Sequence, residues 1–263
     1  MIGIFDSGVG GLTVVKEVLR QIPQYQTVYF GDTARAPYGN KSPELITAYA
    51  IQNVEFLISK GANLIIMGCN TASAVATDAV KKRFPHVPIF DVITPAIKKA
   101  LATTVTKRVG IIGTNATITS NVYPSLIHEQ EKHVEVLQQA CPLLVPLVEE
   151  NWVSKPETTM IVRRYLTGLK ARSLDTLILG CTHYPLLRQI IQRKVGKKVR
   201  IVDPADETVK GVKHFIETHP EIDQTLTKDS RHVFYFSDLT PKVRDISYRW
   251  LGQHIEMKKE QSG

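Results

Sequence analysis

The sequence predicts an α/β fold of two pseudo-symmetric domains, each a mostly parallel sheet flanked by helices, with the active site in the cleft between them. Three observations carry this expectation. Short aliphatic runs alternate with helical patterns along most of the 263 residues, the order of parallel βα units. The segment LIIMGCNTAS, read as strand, glycine, cysteine and helix, returns as LILGCTHYP. The offsets also agree: Cys69 and Cys181 lie 112 positions apart, and the strand starts at Ile2 and Val109 lie 107 apart. A repeat of that length is too long for a solenoid and fits two lobes that face each other.

Taken in order, residues 2–5 read as a strand, DSGVGG as a turn, and 12–22 as an amphipathic helix. Residues 28–30 form a second strand leading into the loop GDTARAPYGNKS, and 44–60 a helix. Residues 64–67 are a strand, and GCNTASA opens a helix running to Phe84. A strand at 87–90 and a helix after Pro95 complete the first pattern. The second begins with a strand at 109–112, after which GTNAT opens a helix. A strand at 134–137, a helix at 156–171 and a strand at 174–179 follow, and GCTHYP opens the next helix. Residues 199–202 are a strand, and DPADET starts another helix. The remainder holds a strand at 232–236 and a last helix ending in the polar tail KKEQSG.

Composition narrows the function classes. The length allows one large domain or two ordinary ones, and a 43% hydrophobic share supplies a core that is mainly aliphatic, aromatics being only 7%. The start MIGIFDSGVGG lacks the basic opening of a secretory signal, and the longest apolar run, 64–67, is far too short for a bilayer span. A soluble, cytoplasmic protein with no membrane partner is expected. The net charge is +8, but the basic residues are scattered, with no basic block interleaved with aromatics. A solvated basic surface that suits an acidic substrate is therefore preferred to a nucleic-acid interface. The three cysteines lack metal-ligand spacing, so no metal is expected and the thiols stay reduced.

Cys69 and Cys181 each follow a strand and precede a helix. In an open parallel sheet that is the ligand-binding edge. Helix N-termini offer free N–H groups and partial positive charge, which lower a thiol's pKa toward neutrality and hold carboxylates. Two such thiols on opposite sides of one small ligand suit racemisation: one removes the Cα proton from one face while the other delivers a proton to the far face. N–H donors around the substrate carboxylate supply part of the stabilisation of charge at Cα. The GVGG segment lacks dinucleotide spacing, and no cofactor is expected. Cys141, in CPLLVP, lies away from any helix start and is read as structural.

The segments IGIFDSGVGGLTV, FGDTARAPYG, GCNTASA, GTNAT, CPLLVPLVE, LGCTHYPLL and DPADET, in this order, resemble the bacterial glutamate racemases of the aspartate/glutamate racemase superfamily. The resemblance implies interconversion of L- and D-glutamate by a cofactor-independent two-cysteine mechanism. It also implies supply of D-glutamate for peptidoglycan biosynthesis, and so a role in cell-wall biogenesis and cell shape. A homodimer is implied as well. It places one domain at 1–95 plus 208–263, carrying Cys69, and the other at 96–207, carrying Cys181. Asp6 then assists Cys69, by orienting the substrate ammonium or by handling a proton, while Glu149 and His183 assist Cys181. Ser7, Tyr38, Gly39, Asn70, Thr71, Thr114, Thr117 and Thr182 join Asp6 and His183 around the substrate. By residue type alone, Asp6, Ser7, Asn70, Thr71, Thr182 and His183 also suit helix capping, and PYG a plain turn. Three alternatives are weighed at this point. One is a racemase of the superfamily acting on another amino acid such as aspartate; another is a basic, nucleic-acid-associated regulator that kept the fold; the third is a redox dithiol protein, which suits two cysteines in separate lobes less well than two-sided proton transfer does.

Overall fold

The computed structural model describes residues 1–262. In the first part of the chain β1 (Ile2–Asp6), α1 (Leu12–Gln21), β2 (Thr27–Gly31), α2 (Pro43–Ser59), β3 (Leu64–Met67), α3 (Asn70–Arg83), β4 (Ile89–Asp91) and α4 (Thr94–Thr103) alternate. Next come β5 (Arg108–Gly113), α5 (Asn115–Thr119), α6 (Val122–Gln130), β6 (Glu135–Ala140), α7 (Leu144–Glu149), α8 (Pro156–Ala171), β7 (Thr176–Gly180), α9 (Arg188–Val195) and β8 (Arg200–Val202). The chain ends with α10 (Pro204–Thr218), α11 (Pro220–Thr225), β9 (Val233–Phe236), α12 (Pro241–Leu251) and β10 (Met257–Lys259).

Among the described residues the strands form two parallel sheets, ordered β10-β9-β2-β1-β3-β4 and β6-β5-β7-β8. The sequences IGIFD, LIIM and TLILG are buried along their whole length, as strands covered by helices on both faces must be. In each sheet the half's opening strand, β1 or β5, lies between its immediate successor and the cysteine-bearing strand, β3 or β7. The winding direction reverses between β1 and β3 and again between β5 and β7. Both cysteines thus leave their strands at a topological switch point, where open α/β sheets form ligand crevices.

The fold class agrees with the expectation from the sequence, and most elements lie where the hydrophobic pattern puts them, with ends moved by a few residues. Helices α7 and α11 add to the elements read from the sequence, and four further details differ for local reasons. Cys181 does not open an α-helix: a 3₁₀ turn at Tyr184–Leu187 comes first and α9 begins only at Arg188. An α-helix capped by Cys181 would need the Pro185 N–H for its first bond, to the Cys181 carbonyl, and proline has none. The helix after GTNAT is a short α5, interrupted at Asn121 (φ 57°) before α6. The strand expected at 87–90 is β4, beginning after Pro88, which cannot donate to a ladder. The polar tail contains β10, which pairs with β9 in parallel through Met257↔Phe234 and Lys259↔Phe236. An edge strand that is mostly exposed carries no apolar alternation to read.

Residues 96 and 208 fall inside α4 and α10. Ile93, Ala96, Ile97 and Ala100 around α4 pack with Val109, Ile111 and Ile178 of the second sheet. One apolar cluster runs from Ile2, Leu12 and Tyr29 through Ile112, Leu177 and Leu187 to Val212 and Trp250, so the core continues from one sheet to the other. Among the described residues no helix is long and apolar enough to cross a membrane.

Candidate active site

The strand ends of both sheets open on one cavity of about 390 Å³ lined by Cys69 and Cys181. Of the residues singled out from the sequence, Ser7, Tyr38, Gly39, Asn70, Thr71, Thr114, Glu149, Thr182 and His183 also line it. Asp6 and Thr117 do not. Asp6 is fully buried behind the wall, its Oδ2 accepting from the Gly8 N–H at 2.9 Å and its Oδ1 from the Thr182 hydroxyl at 3.4 Å. Thr117 sits behind Thr71 and Thr114, in hydroxyl contact with both at 3.4 and 3.0 Å. Thr71 and Thr114 themselves meet at 3.0 Å, which ties α3 of one half to the α5 start of the other.

The two thiols have different surroundings. Cys69 is the N-cap of α3: its sulfur accepts from the Ala72 N–H at 3.5 Å and faces the Ser7 hydroxyl at 3.5 Å. Its pKa is nevertheless not lowered. Burial, reinforced by the nearby Asp6 charge, pushes the thiol up to about 12, against the smaller pull of those hydrogen bonds. The expected lowering at a helix start is thus reversed here, because desolvating an anion outweighs one N–H and a partial dipole. Burial likewise raises Asp6, opposed by the His183 charge and by backbone N–H groups.

Cys181 keeps a charged escort. Its sulfur lies 3.8 Å from His183 Nδ1, and His183 Nε2 lies 3.0 Å from Glu149 Oε1. Burial works against a charged imidazole, but the bonds to Cys181 and Glu149 prevail and raise His183 to about 10. Glu149, at the other end of that bond, is held below its usual range: burial opposes this, and His183 and Lys242 outweigh it. The ring of Trp250 from α12 meets the His183 ring edge to face, centroids 5.5 Å apart.

The raised His183 pKa has a consequence for stability. A base whose folded pKa exceeds its unfolded value of about 6.5 stabilises the fold fully below that value. The contribution is lost as pH rises through about 10. Between these limits the melting temperature should fall more steeply in the unmodified protein than in Glu149→Gln, which removes the anionic partner. Thermal melts across that range test this; equal slopes would contradict an imidazolium held by Glu149.

The Tyr38 hydroxyl donates to Asp32 and accepts from Asn53 Nδ2 at 3.0 Å, so the residue offers the cavity its ring and backbone. A Cβ on Gly39 would stand 3.0 Å from Thr114 Cβ, so the APYG loop closes directly on the second half. Sequence reasoning missed Lys242 and Glu150, which form an ion pair at the cavity. Lys242, the first turn of α12, carried no local signal. Asn115 and the apolar side of Pro142, Val145 and Pro146 also line the site, and both sets lay within segments already quoted, GTNAT and CPLLVP.

The arrangement can hold a small anionic molecule between two thiols that belong to different halves, with N–H groups and hydroxyls on both sides. The Asp/Glu/Hydantoin racemase family matches residues 2–212. The chain is 43% identical over 251 residues to a glutamate racemase of Geobacter metallireducens, covering 95% of this chain and 92% of the relative. Its fold is similar to that of a glutamate racemase isoform from Bacillus anthracis, with TM-score 0.92 and 35% identity over 99% of this chain and 97% of the other. It is also similar to the Francisella tularensis glutamate racemase solved with D-glutamate, with TM-score 0.91 and 34% identity over 99% and 97% of the two chains. The chain belongs to the Asp/Glu/Hydantoin racemase family.

Proposed function

We propose that this protein interconverts L- and D-glutamate by a two-base mechanism in which Cys69 and Cys181 exchange protons with opposite faces of Cα. The observation that carries the reading is that two thiols, leaving equivalent strand ends of two similar sheets, share one cavity. One thiol takes the Cα proton as the other delivers its own, and the roles exchange for the other enantiomer. The imidazolium beside Cys181 supplies the positive charge that a thiolate base needs. Cys69, whose thiol is pushed up by burial, stands as the donor when L-glutamate is bound and must give up its own proton to act on D-glutamate. Donors at Ser7, Asn70, Thr71, Thr114 and Thr182, with Tyr38 and Gly39 closing the loop side, suit the two carboxylates and the ammonium. Asp6 and Thr117 act from behind this wall, Asp6 on Thr182 and Thr117 on the Thr71–Thr114 pair.

Glutamate is favoured over aspartate because the similar curated proteins are named glutamate racemases and one similar structure was solved with D-glutamate. Supply of D-glutamate to cell-wall peptidoglycan, a cytoplasmic location and a homodimeric assembly belong to the same reading, supported by the family resemblance.

The test is direct. Protein stripped with chelator, given L-glutamate and no pyridoxal phosphate, nucleotide or metal, should yield an equal mixture of enantiomers on chiral chromatography, since mirror images have equal free energy in water. No D-glutamate, activity restored only by a cofactor or metal, or faster turnover of aspartate would overturn the reading.

A further inference from the structure

We infer that Thr13, a residue outside the cavity, is a positioning residue for the Cys181 side of the site, a role that rests on the racemase reading above. The β1–α1 turn of the first half presses on the Cys181–Thr182–His183 turn of the second at three points. The Thr13 hydroxyl lies 3.0 Å from the Thr182 carbonyl and 2.9 Å from the Gly10 carbonyl. The Asp6 carboxylate accepts from the Thr182 hydroxyl. Gly10 lies so close that a Cβ there would stand 2.2 Å from Thr182 Oγ1 and 2.6 Å from His183 Cε1.

The Thr13 hydroxyl has one hydrogen and two acceptors within reach. The Gly10 carbonyl already accepts the Thr13 N–H at 3.0 Å. The Thr182 carbonyl is in a different position. Pro185, three residues on, has no N–H to offer it, and the Leu186 N–H goes to the His183 carbonyl. An acceptor taken from water needs a donor, and the side chain reaching across from the other half supplies it. The hydrogen therefore belongs to Thr182. This contact sets where the second thiol and its imidazole stand relative to the first thiol, whose strand β3 is paired to β1.

Thr13→Val keeps the shape and removes the hydrogen, and Thr13→Ser keeps the hydrogen. With L- and D-glutamate, Thr13→Val should lower kcat about tenfold, the scale of a small misplacement of reacting groups, with KM within about twofold. Thr13→Ser should restore kcat to within about twofold of the unmodified enzyme. A role confined to fold stability would not move the second readout. In heavy water, starting from D-glutamate, Thr13→Val should incorporate deuterium into unreacted D-glutamate at a higher ratio to inversion than the unmodified enzyme. Starting from L-glutamate the ratio should not rise. Delivery from Cys181 is then the slowed step, and the intermediate returns to the side of Cys69. An unchanged kcat, a loss that Thr13→Ser does not rescue, or a ratio raised equally from both enantiomers overturns the positioning role. Absence of racemisation in the unmodified protein would instead overturn the activity on which it rests.

Discussion

Cys69→Ala and Cys181→Ala are each expected to lower kcat for glutamate racemisation by at least about a thousandfold, while Cys141→Ala leaves it within about twofold. Removing either thiol leaves one face of Cα without a group that can take or give a proton. The other titratable side chains at the cavity are paired, Glu149 with His183 and Glu150 with Lys242. The Asp6 carboxylate is fully buried behind Thr182, and His183 is engaged with Cys181 and Glu149. Mirror-image substrates make the equilibrium constant unity, so kcat/KM must fall equally in the two directions for each variant. Cys141 is as buried as the other two but faces the Gln139 carbonyl at 3.6 Å, outside the cavity. Its replacement by alanine costs packing, about 1 kcal/mol, and no chemistry. Chiral assays on variants with native circular dichroism decide the matter. Full activity in a folded Cys181→Ala protein would end the two-base mechanism.

The second expected result separates the roles of the two thiols. On the proposed mechanism, and by the family resemblance, Cys69 is expected to remove the proton from D-glutamate and Cys181 from L-glutamate. Serine in either place weakens the base strongly while nearly preserving shape, because a hydroxyl is far less acidic than a thiol. In Cys181→Ser, Cys69 still deprotonates D-glutamate, but delivery to the far face is slow. The intermediate therefore returns to D-glutamate, carrying deuterium once the Cys69 thiol has exchanged with heavy water. Cys69→Ser should show the mirror result, deuterium entering unreacted L-glutamate faster than inversion. The Cα proton signal in nuclear magnetic resonance, followed from each pure enantiomer, reads both rates. Equal exchange-to-inversion ratios for both variants from both enantiomers would refute one thiol per face. Reversed ratios would keep the mechanism and overturn the assignment.

How much of this was legible in the sequence depends on the kind of interaction. Apolar runs such as LIIM and TLILG declare buried strands, and the residues after them locate the ligand edge, so Cys69, Cys181 and their neighbours come together as expected. What depends on depth is not written in spacing. The helix-start argument correctly places Cys69 at an N-cap, but it cannot see that burial beside Asp6 overrides the dipole. Asp6 adjoins Ser7 in the chain, yet one lies behind the wall and the other on it, since successive residues leaving a strand point to opposite sides. Lys242 reaches the site through a contact 92 residues away in the chain, with Glu150, and nothing local marks it. Pro185 is visible in the sequence, but its effect, an unfilled carbonyl on Thr182, appears only when Thr13 of the other half is seen to fill it.

The apolar cluster that passes from one sheet to the other gives the two halves a shared core. Ile2 and Leu12 share that cluster with Leu177 and Leu187, and the chain crosses between the halves through α4 and α10 rather than through an exposed linker. Separating the halves would expose side chains such as Val209 and Val212 on α10, each fully buried, at a cost of about 1.5–3 kcal/mol apiece. Two architectures that look like independent domains on a topology diagram are therefore expected to unfold in one calorimetric transition, and two separate transitions would contradict the shared core.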